Sequence, residues 1–457
     1  MTTTHLLMIP EEAGLLVTTE VHPGTLAVAS VVFAATLALV LVRPRGIHEA
    51  WWAVLGAGAA IGLGLVGKHD VADVLLVSHE AMLFLLGLLV LSKLVEKSGF
   101  FDWAAVHAAR RAGGDVQALM RNVFVLGALI TAAMSLDTTA LLLTPLVLAF
   151  VRRLELPARP FVLLCALVAN NGSLLLPVSN LTNLIFAGSF GLRFGAFAAW
   201  MLVPQVVALW LTYVLARRSL APGLPARFDV ERLGDPDAGV AHAGFFRATW
   251  VALLVVLGGY FLAPLAHVPA YAWTLAVSAG LLAYGVRAGR VGLADLRAIA
   301  WGVFPFAIGL FIVVRSFDGA GLPALAASVL ARLPASEALR TVVAAVTAGV
   351  ASNVMNNLPA ALLARSVLTV AHAPESAVYG VLVGVNVGPN LVVFASLATM
   401  LVLSVARSRG EDVGARDLWR LGLRVTPIVL VVTACVVAVE AMLVRLAPVG
   451  CRNPTRP

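Results

Sequence analysis

Apolar runs recur along the whole chain, at 24–42, 49–67, 74–95, 117–151, 158–190, 195–216, 248–266, 270–286, 294–314, 337–371, 376–406 and 418–446. A helix needs about 20 apolar residues to cross the roughly 30 Å hydrocarbon layer of a bilayer. Most of these runs fit one span each. Four, 117–151, 158–190, 337–371 and 376–406, are too long for one straight crossing and carry polar residues or proline inside. They form two consecutive pairs, one in each half, on either side of the polar connector 217–247. Each half reads as three plain spans, two broken segments and one plain span. Pro145 and Pro359 are 214 residues apart, and Pro177 and Pro389 are 212 apart. Two features at a nearly constant offset point to an internal duplication.

Charge adds a topology. If 117–151 and 337–371 are re-entrant hairpins, each half crosses the membrane five times, and the odd number inverts the second half. The loops at 43–48, 92–121, 152–159, 217–247, 287–297 and 407–424 then share one side and hold 23 of the 32 Lys and Arg. The richer side is predicted to be cytoplasmic, with both termini outside. As helix, 120–134 rises about 22 Å, short of a full crossing but enough to pass the midplane and turn back.

The expected fold is therefore an all-α polytopic membrane protein of two inverted repeats, each with a re-entrant hairpin and a broken helix. The first repeat is 1–216 (hairpin 117–151, broken helix 158–190). The second is 248–457 (hairpin 337–371, broken helix 376–406), and 217–247 is a cytoplasmic linker. Inverted repeats with helices broken near the midplane describe many secondary transporters.

Composition agrees. Hydrophobic residues make up 60% and charged residues 12%, where a soluble chain carries about 25% charged. The net charge of +8 is read as arginines that set topology, not as a nucleic-acid surface. No basic stretch precedes the first apolar run, which is read as a retained helix and not a signal peptide. Cys165, Cys435 and Cys451 have no metal-ligand or disulfide spacing. No nucleophile–base pair lies within the spans, so an enzyme is not expected.

Four polar breaks carry the candidate chemistry. The first hairpin tip holds Ser135, Asp137, Thr138 and Thr139, with Thr144 about one turn on. An acid at membrane depth is a functional candidate by default, and Asp137 is the expected proton carrier. The alternative is that Asp137 caps the outgoing arm while Thr138 and Thr139 satisfy backbone groups. The first broken helix holds Asn170, Asn171, Ser173, Ser179, Asn180, Thr182 and Asn183 around Pro177. This is dense enough to favour a binding site over interhelical glue. The second hairpin tip supplies Ser352, Asn353, Asn356 and Asn357, and the second broken helix supplies Asn386, Asn390, Ser396 and Thr399. Only the first break has an acid, and no Lys or Arg lies at any of the four. His79, Glu80, Glu440, Arg315 and Arg365 are read as structural, the two arginines snorkelling near the outer ends.

At these breaks the sequence resembles the ArsB-type arsenite/antimonite permeases of the ion transporter superfamily, which also holds sodium/proton antiporters and dicarboxylate transporters. The matching segments are DTTALLLTPLVLA, LLLPVSNLTNL, SNVMNNLPAALL and GVNVGPN followed by SLATML. Two departures, Leu136 where similar permeases have Asn and LVVFA after GPN, make the site less polar. The resemblance implies efflux of trivalent arsenic or antimony through the inner membrane in exchange for protons. No organic cofactor and no bound metal are expected, and the proton gradient, or sodium, is the expected energy source. The resemblance also implies association with a soluble arsenical ATPase; a homodimer is the candidate assembly. Amides and hydroxyls suit the neutral arsenite triol. The alternative within the superfamily is a sodium/proton antiporter or a sodium-coupled small-anion or dicarboxylate transporter, with sodium held by oxygens near Ser135, Asp137, Ser179 and Asn180.

Overall fold

A computed structural model describes residues 21–262, 267–332 and 336–446. The chain ends, and with them the expectation of outside termini, Glu11, Glu12, Glu20, Cys451, Arg452 and Arg456, lie outside the described residues.

The described residues are helical throughout, and their one isolated bridge joins Asp115 to Arg227. Seven helices are long and apolar enough to cross a membrane: Pro23–Val42, Lys68–Lys97, Val116–Ala133, Phe194–Leu220, Ala243–Leu262, Glu337–Met355 and Ala415–Arg445. The protein is a multi-pass membrane protein. Glu49–Gly62 and Ala270–Arg287 are further apolar helices, and Val303–Gly319 bends by 66° into Leu322–Ala331.

All four long segments break where the pattern expects. Val116–Ala133 ends at Met134, and the chain restarts as a helix from Ser135, whose Oγ accepts from the Thr138 N–H at 3.1 Å. Thr131 Oγ1 and Thr139 Oγ1 meet at 2.7 Å. Eight residues of continuous helix would rise about 12 Å, so the chain has turned back on itself. Both ends of this segment reach the same connector, through the Asp115–Arg227 bridge and a Glu155–Arg232 ion pair of 2.7 Å. In the second half Glu337–Met355 ends at Asn356, which starts Asn357–Val370. Ser376 Oγ donates to Glu337 Oε1 at 2.6 Å, so the chain enters and leaves this segment at one place.

The two broken helices share a plan. Ala158–Asn171 leads to a 3₁₀ turn, Pro177–Ser179, and then to Leu181–Ser189. Glu375–Val387 leads to Val393–Ala395 and then to Leu397–Ser408. The capping residues Asn180 and Ser396 are 216 positions apart, and the hairpin caps Ser135 and Asn356 are 221 apart. Gly99 and Gly321, both at φ 80°, each turn a long helix into a shorter one, 222 positions apart. In the two broken helices the matching turns begin at Pro177 and at Val393, so Pro177 and Pro389 do not hold equivalent places. A break forms where freed amides find partners, and proline is only one way to start it.

Close packing holds the second pair together. Gly380, Gly384 and Gly388 form a stripe on one helix face. A Cβ at Gly384 would collide with Ala345 O, Ala348 and Gly349, and one at Gly388 with the Gly349 backbone. Small residues let membrane helices meet backbone to backbone.

Ion pairs gather the connectors. Lys97 meets Asp295 at 2.8 Å, Arg152 meets Glu411 at 2.8 Å, Arg232 meets Glu155, and Arg159 pairs with Asp417. The arginine-rich loops 92–121, 152–159, 217–247, 287–297 and 407–424 therefore share one face. Asp70 lies at the other end of the Lys68–Lys97 helix from Lys97, about 40 Å away. There Arg315 sits between Asp70 at 3.0 Å and Asp318 at 2.9 Å, only 6% exposed. Arg365 Nη1 donates to Ser189 Oγ at 3.1 Å. The snorkelling expectation fails for Arg315, because two carboxylates offset the cost of burying its charge.

Candidate functional site

All four breaks meet inside the helix bundle, but they do two different jobs. The first is to satisfy irregular backbone, which water cannot reach there. Leu174 and Leu175 donate to Gln205 Oε1 at 2.8 and 3.1 Å, and Gln205 Nε2 donates to Asn171 O at 2.8 Å. In the second half Asn353 does the same: its Oδ1 accepts from Leu391 and Val392, and its Nδ2 donates to Gly388 O at 2.8 Å. Asn180 and Asn356 cap the helices that follow them, accepting from Thr182 N and Leu358 N. Asn356 also donates to Phe394 O at 2.7 Å. It holds φ 77° and ψ 151°, a backbone conformation side chains rarely adopt.

Between the two broken helices lies a closed amide network. Asn386 Nδ2 donates to Asn183 Oδ1 at 2.8 Å, and its Oδ1 accepts from Ser173 Oγ at 2.7 Å and Asn180 Nδ2 at 2.6 Å. Asn170 donates to Asn390 Oδ1 at 2.8 Å and Thr399 Oγ1 at 2.9 Å and accepts from Ser396 Oγ at 2.7 Å. Asn390 donates to Asn171 Oδ1 at 2.8 Å, and Asn171 to Thr212 Oγ1 at 2.7 Å. These side chains are buried and occupied by one another. Ser179 donates to Ala132 O, and Ser352 to Ala348 O in its own helix. Thr138 is held by Ser92 and Ser135, and Thr139 by Thr131.

The second job belongs to a cavity of about 50 Å³ beside this network. That is room for a few waters or one small solute. Ser135 and Asp137 line it from the first hairpin, Asn180 and Thr182 from the first broken helix, and Asn356 and Asn357 from the second hairpin. Leu397 comes from the second broken helix, and Leu85, Leu88 and Phe306 complete apolar walls. Among the described residues, two buried oxygens in this lining have no hydrogen-bond partner, Asp137 Oδ1 and Thr182 Oγ1. The Asn357 side chain makes no hydrogen bond to a described residue. The cap of the outgoing arm is Ser135 and not Asp137. A buried polar atom without a partner is costly and calls for water or a ligand.

The sequence thus located all four breaks but could not sort them. Gln205, Thr212, Ser92 and Thr131 escaped it. A lone Gln beside Pro204, deep in the apolar run 195–216, was an available signal. Of the oxygens proposed for sodium, Ser135, Asp137 and Asn180 line this cavity, and Ser179 Oγ donates to Ala132 O.

Known proteins share this chain's pattern over nearly its full length. The family model described as arsenical pump membrane protein, ArsB, matches residues 27–441. An arsenical pump membrane protein of Escherichia coli K12 is 30% identical over 427 residues, covering 90% of this chain and 98% of the relative. An uncharacterised transporter of Mycobacterium tuberculosis H37Rv is 26% identical over 429 residues, covering 89% and 97%. Among solved structures, the YdaH transporter of Alcanivorax borkumensis has the same fold, with a TM-score of 0.58, 16% identity, and coverage of 92% of this chain and 99% of that one. With the match running through all four breaks, the chain belongs to the ArsB arsenical pump membrane protein family, and it is a membrane transporter, not an enzyme.

Proposed function

We propose that this transporter exports arsenite or antimonite across the inner membrane in exchange for protons. The observation that carries the reading is the cavity between the breaks, which has one acid, Asp137, and otherwise only hydroxyls, amides and apolar walls. A neutral triol can satisfy Thr182 Oγ1 and Asn357 without a fixed cation, and this leaves Asp137 to carry the proton. The relatives' description as arsenical pumps supports the cargo. Two inverted repeats fit the recurring caps: Gly99 lies on the face of the arginine-rich loops and Gly321 on the face of Arg315 and Asp70. Under positive-inside logic the arginine-rich face is cytoplasmic. Association with a soluble arsenical ATPase and a homodimeric assembly remain parts of this proposal.

The test is accumulation of labelled arsenite in everted vesicles under an imposed pH gradient, for the wild-type chain and Asp137→Asn. Gradient-driven accumulation that disappears in the variant supports the assignment. Accumulation that survives the substitution takes the coupling role from Asp137. No arsenite accumulation by folded protein, together with sodium-dependent anion uptake or sodium–proton exchange, favours the alternative within the superfamily.

A further inference from the structure

A single side chain separates the central cavity from a second, larger space. On the side away from the arginine-rich loops, a vestibule of about 990 Å³ opens among His79, Arg193, Arg365 and His372. Consecutive residues line the two spaces from opposite sides. Phe84 faces the vestibule and Leu85 the cavity; Pro177 faces the vestibule and Val178 the cavity. Leu184 lines both, and it is the one described side chain that does. In the other direction a crevice of about 10 Å³ runs from Asn356 and Leu397 to Glu49, which pairs with Arg43 at 3.2 Å. That crevice is at the lower limit for a single water.

The structure assigns Leu184 as the gating residue on the vestibule side of the solute route. Leu184 rides on Leu181–Ser189, a nine-residue helix joined to the rest of its span by the Pro177–Ser179 turn. Asn183 ties the start of this helix to Ser173 O, Leu176 O and Asn386, so the gate moves as a side chain and not with the helix. The far end of the helix is tied to Arg365 through Ser189, which links the gate to the second hairpin. The solute passes from the cavity to the vestibule when the Leu184 side chain withdraws.

This rests on the cavity being the solute site, but its test needs no solute. Cys165, Cys435 and Cys451 are replaced by alanine, and single cysteines are placed at Thr182, Leu184 and His372. A membrane-impermeant thiol reagent is applied to right-side-out and to everted vesicles. Leu184→Cys and His372→Cys should react from the same face. Thr182→Cys should react slowly from that face and roughly tenfold faster once Leu184→Ala is added, a barrier change of about 1.4 kcal/mol. No acceleration, or acceleration only from the arginine-rich face, overturns the assignment. Should Leu184→Ala not fold, Leu184→Cys decides alone: reaction only from the face opposite His372→Cys, or none, removes the gate. A labelling pattern as expected without arsenite transport would sink the cargo and keep the gate.

Discussion

Thr182 and Asn386 are equally buried polar residues of the two broken segments, yet their surroundings assign them opposite roles. Thr182 Oγ1 has no protein partner, whereas Asn386 makes four side-chain hydrogen bonds to Asn183, Ser173, Asn180 and Leu382 O. Thr182→Val should therefore leave thermal stability in detergent unchanged and raise the transport KM several-fold. Asn386→Leu should do the reverse first: it strands the partners of a closed network, at about 1–3 kcal/mol for each buried group left unsatisfied. A melting temperature that falls with Thr182→Val and not with Asn386→Leu would reverse the division between network and cavity. Ser135→Ala removes the cap from Thr138 N and should cost about 1 kcal/mol, read as a lowered midpoint of thermal unfolding.

At the scale of elements, the second hairpin and second broken helix depend on absent side chains. The Gly384 position abuts Ala345 O and Gly349, so Gly384→Leu forces the helices apart and with them Asn353, which holds the Leu391–Val392 amides. The expected outcome is loss of folded protein on size-exclusion chromatography, with Gly384→Ala intermediate. Asn356 carries a different burden, a positive φ at the hairpin tip. Asn356→Gly relaxes the backbone but loses the bond to Phe394 O. The hairpin should survive while the cavity loosens, seen as preserved helicity by circular dichroism with weakened substrate affinity.

For the whole molecule, Arg315 joins the Lys68–Lys97 helix to the Val303–Gly319 helix at the far face. Arg315→Met withdraws the cation from between Asp70 and Asp318. Breaking one partner of a buried ion pair typically costs about 3–5 kcal/mol, so the variant should melt well below wild type. By contrast, the half-exposed Arg152–Glu411 pair should contribute at most about 1 kcal/mol and weaken in salt. Equal destabilisation by Arg315→Met and Arg152→Ala would contradict this ranking.

The sequence by itself determined that this chain lives in a bilayer, where its four broken segments lie, and that one of them alone carries an acid. Those features are local: apolar runs, prolines and amide clusters are set along the chain, and hydrocarbon depth punishes any polar exception. Proline spacing alone did not mark where the helices restart, because side-chain caps at Ser135, Asn180 and Asn356, not prolines, start three of the four helices after the breaks. Tertiary structure alone decided which amides face each other and which face space. Asn170 and Asn390 lie 220 residues apart in sequence yet share a hydrogen bond, while Thr182, two residues from a committed Asn180, is left open to the cavity. A hydrogen-bonding group is spent or available only relative to its partner, and for Asn170, Asn180 and Asn183 partners arrive from the other half of the chain.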